Sequence, residues 1–199
     1  RDKIEEQLNK LGIIAERIPA IFGSPWPFCK GLRPNEIGHL LSTIKMLKYI
    51  QENKWNRTVI LEDDALFVDD FEFKMYEYYR QVPSNYDLLY LSGNHQEISK
   101  TNKKDHHISK NVMKSLFTLT TGAYIVTLEA ASRIEKELSN NDNPNWIEWK
   151  GLKQTDLLIA DMTDRGDLIA YSLYPSLVTQ SDGFSNIQEC FVSYKELIS

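Results

Sequence analysis

The run Thr58-Val59-Ile60-Leu61 drives straight into three consecutive carboxylates, Glu62, Asp63 and Asp64, and apolar residues resume at Ala65. An aliphatic, β-branched run of this kind reads as a short buried strand. Adjacent like charges repel by roughly 1 kcal/mol per pair in water and ~4 kcal/mol at a protein-like dielectric. Burial raises the cost further. A fold tolerates the triplet where something positive meets it: a Lys or Arg, a helix N-terminus, or a metal ion. Whatever architecture the chain adopts must open the end of a core strand onto such a partner.

Around this strand, helix-like and strand-like segments alternate. Ile4, Leu8 and Leu11 share one helical face, and Gly12 suits the position after the helix end. Ile13 to Ile21 alternates loosely and reads as a strand. The following stretch, FGSPWPFCKGLRP, is too rich in Gly and Pro for regular structure. Ile37, Leu40, Leu41, Ile44 and Leu47 recur at helical spacing. They predict a helix over Glu36 to Gln51, with Pro34 in its first turn. A third helix is expected over Asp70 to Gln81, and a buried strand over Asp87 to Leu91. Gln96 to Lys110 reads as a polar surface loop, with His106-His107 solvated within it. A β-rich run, Leu116 to Val126, breaks at Thr121-Gly122. Thr127 then caps a helix to about Leu138. Ser139 to Asn145 is a loop, and Trp146 and Trp149 suit either burial or stacking on a sugar face. A helix over Asp156 to Asp164 and a strand over Leu168 to Tyr174 complete the pattern.

Strands this continuously apolar are the mark of a mostly parallel sheet covered on both faces. The expected fold class is therefore α/β, with a mostly parallel central sheet and helices on both faces. The 199 residues suit one domain spanning 1–199, and 42% hydrophobic residues supply its core. The net charge of -5, from 23 basic and 28 acidic residues, implies no basic face. Nucleic acid is accordingly not an expected partner. No apolar run approaches the ~20 residues of a membrane span. Cys29 and Cys190 are far apart and lack metal-type spacing. They read as free thiols in a reducing, cytoplasmic setting, with an ER-lumenal or viral setting as alternatives.

In open α/β sheets ligands bind beyond the carboxyl ends of the strands, where the acidic triplet would lie. In an extended segment Glu62 and Asp64 project to the same side. Two carboxylates on one side form half of a hard-cation site, suited to Mn²⁺ or Mg²⁺, ions that often bridge substrate phosphates. The competing reading is a solvated strand end, with Asp63 or Asp64 capping the next turn.

Six short segments, in order, resemble glycosyltransferase family 25, the group of lipopolysaccharide sugar transferases and procollagen galactosyltransferases. Arg17-Ile18-Pro19-Ala20 with Gly23 is similar to the family's early segment, and Asn35 to Ser42 to its Gly-Glu-Ile-Gly helix start. Leu61-Glu62-Asp63-Asp64-Ala65 matches the metal motif. Thr121-Gly122-Ala123-Tyr124, Gln154-Thr155-Asp156, and Pro175 to Gln180 followed by Ser185-Asn186-Ile187 supply the rest. The chain departs from the pattern at three points. His39 stands at the family's Cys, Thr43 at its His, and Gln154 at its Pro. The family's first strand, before the opening Arg, is expected to be missing.

The resemblance implies a GT-A-like fold and a UDP-sugar donor with galactose favoured. It further implies a Mn²⁺ or Mg²⁺ cofactor and a glycan, glycolipid or collagen-like acceptor. It also implies inversion at the sugar carbon by direct displacement. On that basis Glu62 and Asp64 are the expected metal ligands, and Asp156 the general base toward the acceptor hydroxyl. Glu36, Asp63, Gly122, Tyr124, Gln180 and Asp182 are expected on the donor side, with either Gln180 or Asp182 suited to complete the metal shell. Each has a simpler reading. Glu36 and Asp156 suit helix starts as dipole partners, and Asp63 suits fixing the loop. Tyr124 suits the core, Asp182 a turn next to Gly183, and His39 packing. A catalytically silent nucleotide-sugar-binding module and a metal-dependent nucleotidyltransferase are the alternative functions.

Overall fold

A computed structural model describes residues 2–23, 32–95, 106–119, 121–139, 154–185 and 190–192. The described helices are α1 (Asp2–Lys10), α2 (Pro34–Asn53), α3 (Phe71–Tyr79), α4 (Leu128–Ser139) and α5 (Thr155–Asp164). The strands begin with β1 (Arg57–Leu61), β2 (Ala65–Phe67), β3 (Leu88–Tyr90), β4 (Asn94–His95), β5 (His107–Ser109) and β6 (Val112–Ser115). They continue with β7 (Thr118–Leu119), β8 (Ala123–Thr127), β9 (Ala170–Leu173), β10 (Val178–Gln180), β11 (Gly183–Ser185) and β12 (Cys190–Val192).

The central sheet has six strands in the order β1-β8-β3-β9-β6-β5. The expectation of a mostly parallel sheet is corrected here. Only the β3–β9 pairing is parallel, and β1–β8, β3–β8, β6–β9 and β5–β6 are antiparallel. The reason is physical. Continuous apolarity reports burial on both faces and carries no information on direction. Strand β8 is buried at all five positions, yet runs against both of its neighbours. Because β8 separates them, β1 and β3 still run the same way, and their carboxyl ends share one edge with the start of β8.

Helices cover both faces, as expected. One face packs Ile60, Leu88, Tyr90, Tyr124 and Val126 against α2, α4 and α5 through Leu40, Leu47, Ile134 and Ile159. The other packs Leu89, Leu91, Ala123, Ile125 and Tyr171 against Ile4 of α1, with Phe71 and Met75 of α3 alongside. Leu88 and Leu89 are both fully buried on opposite faces, which is the period-2 alternation of a strand. Each such side chain contributes about 1.5–3 kcal/mol through burial. Local signals fix the helix ends. Ala130 N–H donates to Thr127 Oγ1 at 3.2 Å, so Thr127 caps α4. Gly12, past the end of α1, adopts φ +62°, a left-handed conformation that suits glycine.

Two expectations fail locally. Residues 13–21 form no strand. Three of their polar groups are met from α2 instead of from a neighbouring strand. Ile21 N–H donates to Ser42 Oγ at 2.8 Å, Lys45 Nζ to Pro19 O at 3.3 Å, and Tyr49 OH to Glu16 Oε1 at 2.7 Å. Gly38 permits the close approach, since a Cβ there would fall 2.6 Å from Ile21 O. His107–Ser109, expected in a polar loop, instead forms β5 against β6. Expectations for Cys29, for Ser139 to Asn145 beyond 139, for Trp146 and Trp149, and for Asn186-Ile187 fall outside the described residues. Among the described residues no helix is long and apolar enough to cross a membrane.

Candidate functional site

Strand β1 ends at Leu61, and the chain turns at once. Glu62 N–H donates to Gly122 O at 2.9 Å, and Ala65 N–H closes back onto Glu62 O at 3.2 Å. The acidic triplet is therefore a tight turn between β1 and β2, not an extended segment. Strand β10 pairs antiparallel with β2, with Gln180 opposite Ala65. That register carries the Gln180 side chain over the turn.

The two outer carboxylates meet under this side chain. Gln180 Nε2 donates to Glu62 Oε2 at 3.0 Å and to Asp64 Oδ1 and Oδ2 at 3.3 and 3.4 Å. Glu62 Oε1 also accepts from Thr121 Oγ1 at 2.8 Å, and His39 Nε2 lies 3.7 Å from it. Burial pushes the Glu62 carboxyl toward the neutral form. Its contacts with His39 and Thr121 outweigh that and hold it below its ordinary value. Asp64 shifts the other way. Burial raises it first, then the charge of Glu62 and, less, of Asp63, while the Gln180 amide and its own backbone oppose the rise. One carboxylate ionises easily, and its neighbour resists.

Among the described residues no Lys or Arg pairs with either group, and no set of three His, Cys, Asp or Glu side chains converges as a metal cage. Two carboxylates plus substrate oxygens and water is, however, a usual shell for Mg²⁺ or a similar hard ion. The donor set is all oxygen, and Asp64 is short of positive charge. The residues present fit such an ion.

A cleft of roughly 1850 Å³ opens above this floor. It exceeds the ~300–1,000 Å³ of ordinary ligand pockets, so a large ligand or two smaller ones can enter. Its walls come from residues 13–23, α2, the turn, Thr121, Asp156 and Gln180. A further polar link crosses it: His39 Nδ1 lies 3.1 Å from Thr155 Oγ1. This joins α2 to the start of α5 beside Asp156.

The remaining candidates divide. Asp156 lies in the first turn of α5 and lines the cleft, with Oδ1 accepting from Leu157 N–H at 2.8 Å. Glu36 is 7% exposed, and its oxygens are engaged. They accept from Arg33 N–H at 2.7 Å, from Arg33 Nη2 at 3.1 Å and from Gln154 Nε2. Burial works to raise its pKa, and these donors hold it below the ordinary value. This geometry suits a structural tie between α2 and α5. Tyr124 is buried in the core, tilted against Tyr90 at 6.3 Å. Its hydroxyl is pushed up by burial and then by the Glu62 charge, and the residue lines the cleft. Asp63 is exposed at the tip of the turn, whose closing bond is backbone to backbone. Asp182 is exposed past β10, and the described cleft wall ends at Gln180 and Ser181.

Gly122 has a specific task. A Cβ on it would fall 3.2 Å from Gln180 Cδ and from Ser92 Oγ, and 3.3 Å from Gln180 Cγ. Its missing side chain is the space in which Gln180 reaches the carboxylates. From sequence His39 reads as packing; the structure places it between Glu62 and Thr155. The available signal was the spacing of Glu36, His39 and Thr43, which lines three polar residues along one side of α2.

A model of the family described as glycosyltransferase family 25 (LPS biosynthesis protein) matches residues 1–144. The chain is also similar to procollagen galactosyltransferase 2 of Homo sapiens, 23% identical over 131 residues. That stretch is 64% of this chain and 21% of the human protein. The chain thus spans about a fifth of the length of the curated relative it matches. Glu36, Glu62, Asp64, Gly122 and Tyr124 lie within the family match; Asp156, Gln180 and Asp182 lie beyond it.

Proposed function

We propose, from the premise that this chain belongs to glycosyltransferase family 25, that it moves a hexose from a UDP-sugar to an acceptor hydroxyl with the help of Mn²⁺ or Mg²⁺. The observation that carries this reading is the meeting of Glu62 and Asp64 under one amide, at the floor of a cleft large enough for a nucleotide sugar. The name of the human relative favours galactose as the sugar. A glycan, glycolipid or collagen-like hydroxyl is the acceptor class. A GT-A-like arrangement is part of the same reading, with the donor site where β1 and β3 end beside the start of β8.

In this reading Asp64 and Glu62 hold the cation. A bound divalent ion supplies positive charge against the diphosphate as it leaves. Thr121 and His39 fix one oxygen of Glu62, so the carboxylate stays ionised and oriented. Asp156 takes the proton from the acceptor hydroxyl as the new bond forms. Its Oδ1 accepts from Leu157 N–H, and the residue lines the cleft. Displacement at the sugar carbon by that hydroxyl inverts the anomeric configuration.

The test is a donor screen. The protein is incubated with Mn²⁺, a panel of nucleotide sugars and candidate acceptors, and free nucleoside diphosphate is read out. Release from a UDP-hexose that depends on acceptor and on Asp64 supports the reading. Donor binding without acceptor-dependent release points to a silent module instead.

A further inference from the structure

Gln180 does more than border the carboxylate pair. Its Nε2 sits between the two, 3.0 Å from Glu62 Oε2 and 3.3 Å from the nearer Asp64 oxygen. In an octahedral shell with metal–oxygen distances of roughly 2.0–2.1 Å, neighbouring oxygens are about 3 Å apart. The tip of the amide therefore already stands at ligand spacing from both carboxylates. Only the atom is wrong, since an N–H₂ group repels a cation. A half-turn about the last side-chain bond exchanges the two ends and brings Oε1 to that place. Such terminal torsions are broad and roughly two-fold.

Two further features serve this turn. Gly122 leaves the room, because a Cβ there would fall 3.2 Å from Gln180 Cδ. Ser92 Oγ lies equally close to the same point. Ser92 is 6% exposed, and its hydroxyl has no hydrogen-bond partner among the described residues. A buried hydroxyl without a partner is uncommon and calls for one. After the half-turn the N–H₂ end leaves the carboxylates, and Ser92 Oγ is an unpartnered acceptor bordering the same space at Gly122.

We propose that Gln180 is the third protein ligand of the divalent cation, through Oε1, after its amide turns over from the carboxylate-bridging position. The inference rests on the carboxylate pair being a cation site and adds the identity of its third oxygen.

The test measures Mn²⁺ binding directly, from the electron paramagnetic resonance signal of free Mn²⁺, with thermal melting as the check on folding. Gln180→Ala removes an oxygen and should weaken Mn²⁺ binding by at least about tenfold. Gln180→Glu places a charged oxygen at the same reach and should bind at least as tightly as the parent. If Gln180→Ala binds Mn²⁺ equally or more tightly, the amide is a brace or a competitor and the proposal fails. Should the parent itself bind no Mn²⁺, the underlying site reading fails with it; parent binding with an indifferent alanine variant sinks this inference alone. In the unmodified protein, the Gln180 side-chain NH₂ proton resonances should shift upfield on Mg²⁺ titration as they leave the carboxylates. Resonances that hold their hydrogen-bonded positions at saturating Mg²⁺ overturn the turn-over.

Discussion

Replacing Asp64 by Asn should stabilise the protein in the absence of cation and remove its response to cation. The oxygens of Glu62 and Asp64 accept from one nitrogen at 3.0 and 3.3 Å, which places them within about 6 Å of each other. At that range two unit charges repel by about 0.7 kcal/mol in water and ~3 kcal/mol at an effective dielectric of 20. The Glu62 side chain keeps 33% exposure, so solvent screens the pair and the lower part of this range applies. The Asn variant should then gain about 1–2 kcal/mol, or roughly 2–8 °C in melting temperature for a chain of this size. The pH dependence follows from the raised Asp64 pKa. The parent's penalty develops as pH climbs from the unfolded carboxyl pKa through the higher folded value, and is complete above it. The advantage of Asp64→Asn should be full above the raised folded pKa and vanish below the unfolded one, where the parent's Asp64 is protonated in both states. Melting curves of both proteins in EDTA at two pH values, then in Mn²⁺, read this out. An Asn variant that melts below the parent at neutral pH, or gains as much from Mn²⁺, refutes the reasoning.

Three further outcomes are expected. Asp156→Asn should cut transfer by about 10²–10⁴-fold with donor binding unchanged; single-turnover transfer and a nucleotide titration separate the two. Gly122→Ala inserts a Cβ 3.2 Å from Gln180 Cδ and Ser92 Oγ. It should cost about 1–3 kcal/mol in a denaturant melt and weaken Mn²⁺ binding as Gln180 is pushed aside. Glu36→Ala should lower stability by about 1–3 kcal/mol, through the lost cap and unpaired donors, with donor affinity unchanged. The parent's Glu36 contribution is present above the unfolded carboxyl pKa and lost as pH falls through the depressed folded value. The Ala defect should therefore shrink in acid melts. An unaltered melt with weakened donor binding would give Glu36 the ribose role instead.

Much of this arrangement was legible before any coordinates. The helical spacing of Ile37, Leu40, Ile44 and Leu47 located α2 because a buried face imposes a period of 3.6. Thr127 marked the start of α4 through its own hydroxyl. Glu62 and Asp64 stood out because an apolar run ending in three carboxylates needs an explanation. Sheet direction was hidden, since β8 would read the same in either sense. The strand reading of Ile13 to Ile21 failed because apolar alternation cannot report whether a ladder partner is present. The positions of His39 and Gln180 depend on contacts across 116 and 118 residues. They are set by how α5 meets α2 and how a three-residue β2 pairs with β10, and neither leaves a periodic trace.

The proposed function requires a cation held by Glu62 and Asp64 that in turn holds a diphosphate. Thermal melting with UDP, in Mn²⁺ and in EDTA, addresses it most directly. A substantial rise in melting temperature when UDP and Mn²⁺ are both present, small with either alone and lost in Asp64→Ala, is the predicted result. Equal stabilisation by UDP in EDTA, or a full response retained by Asp64→Ala, would contradict it.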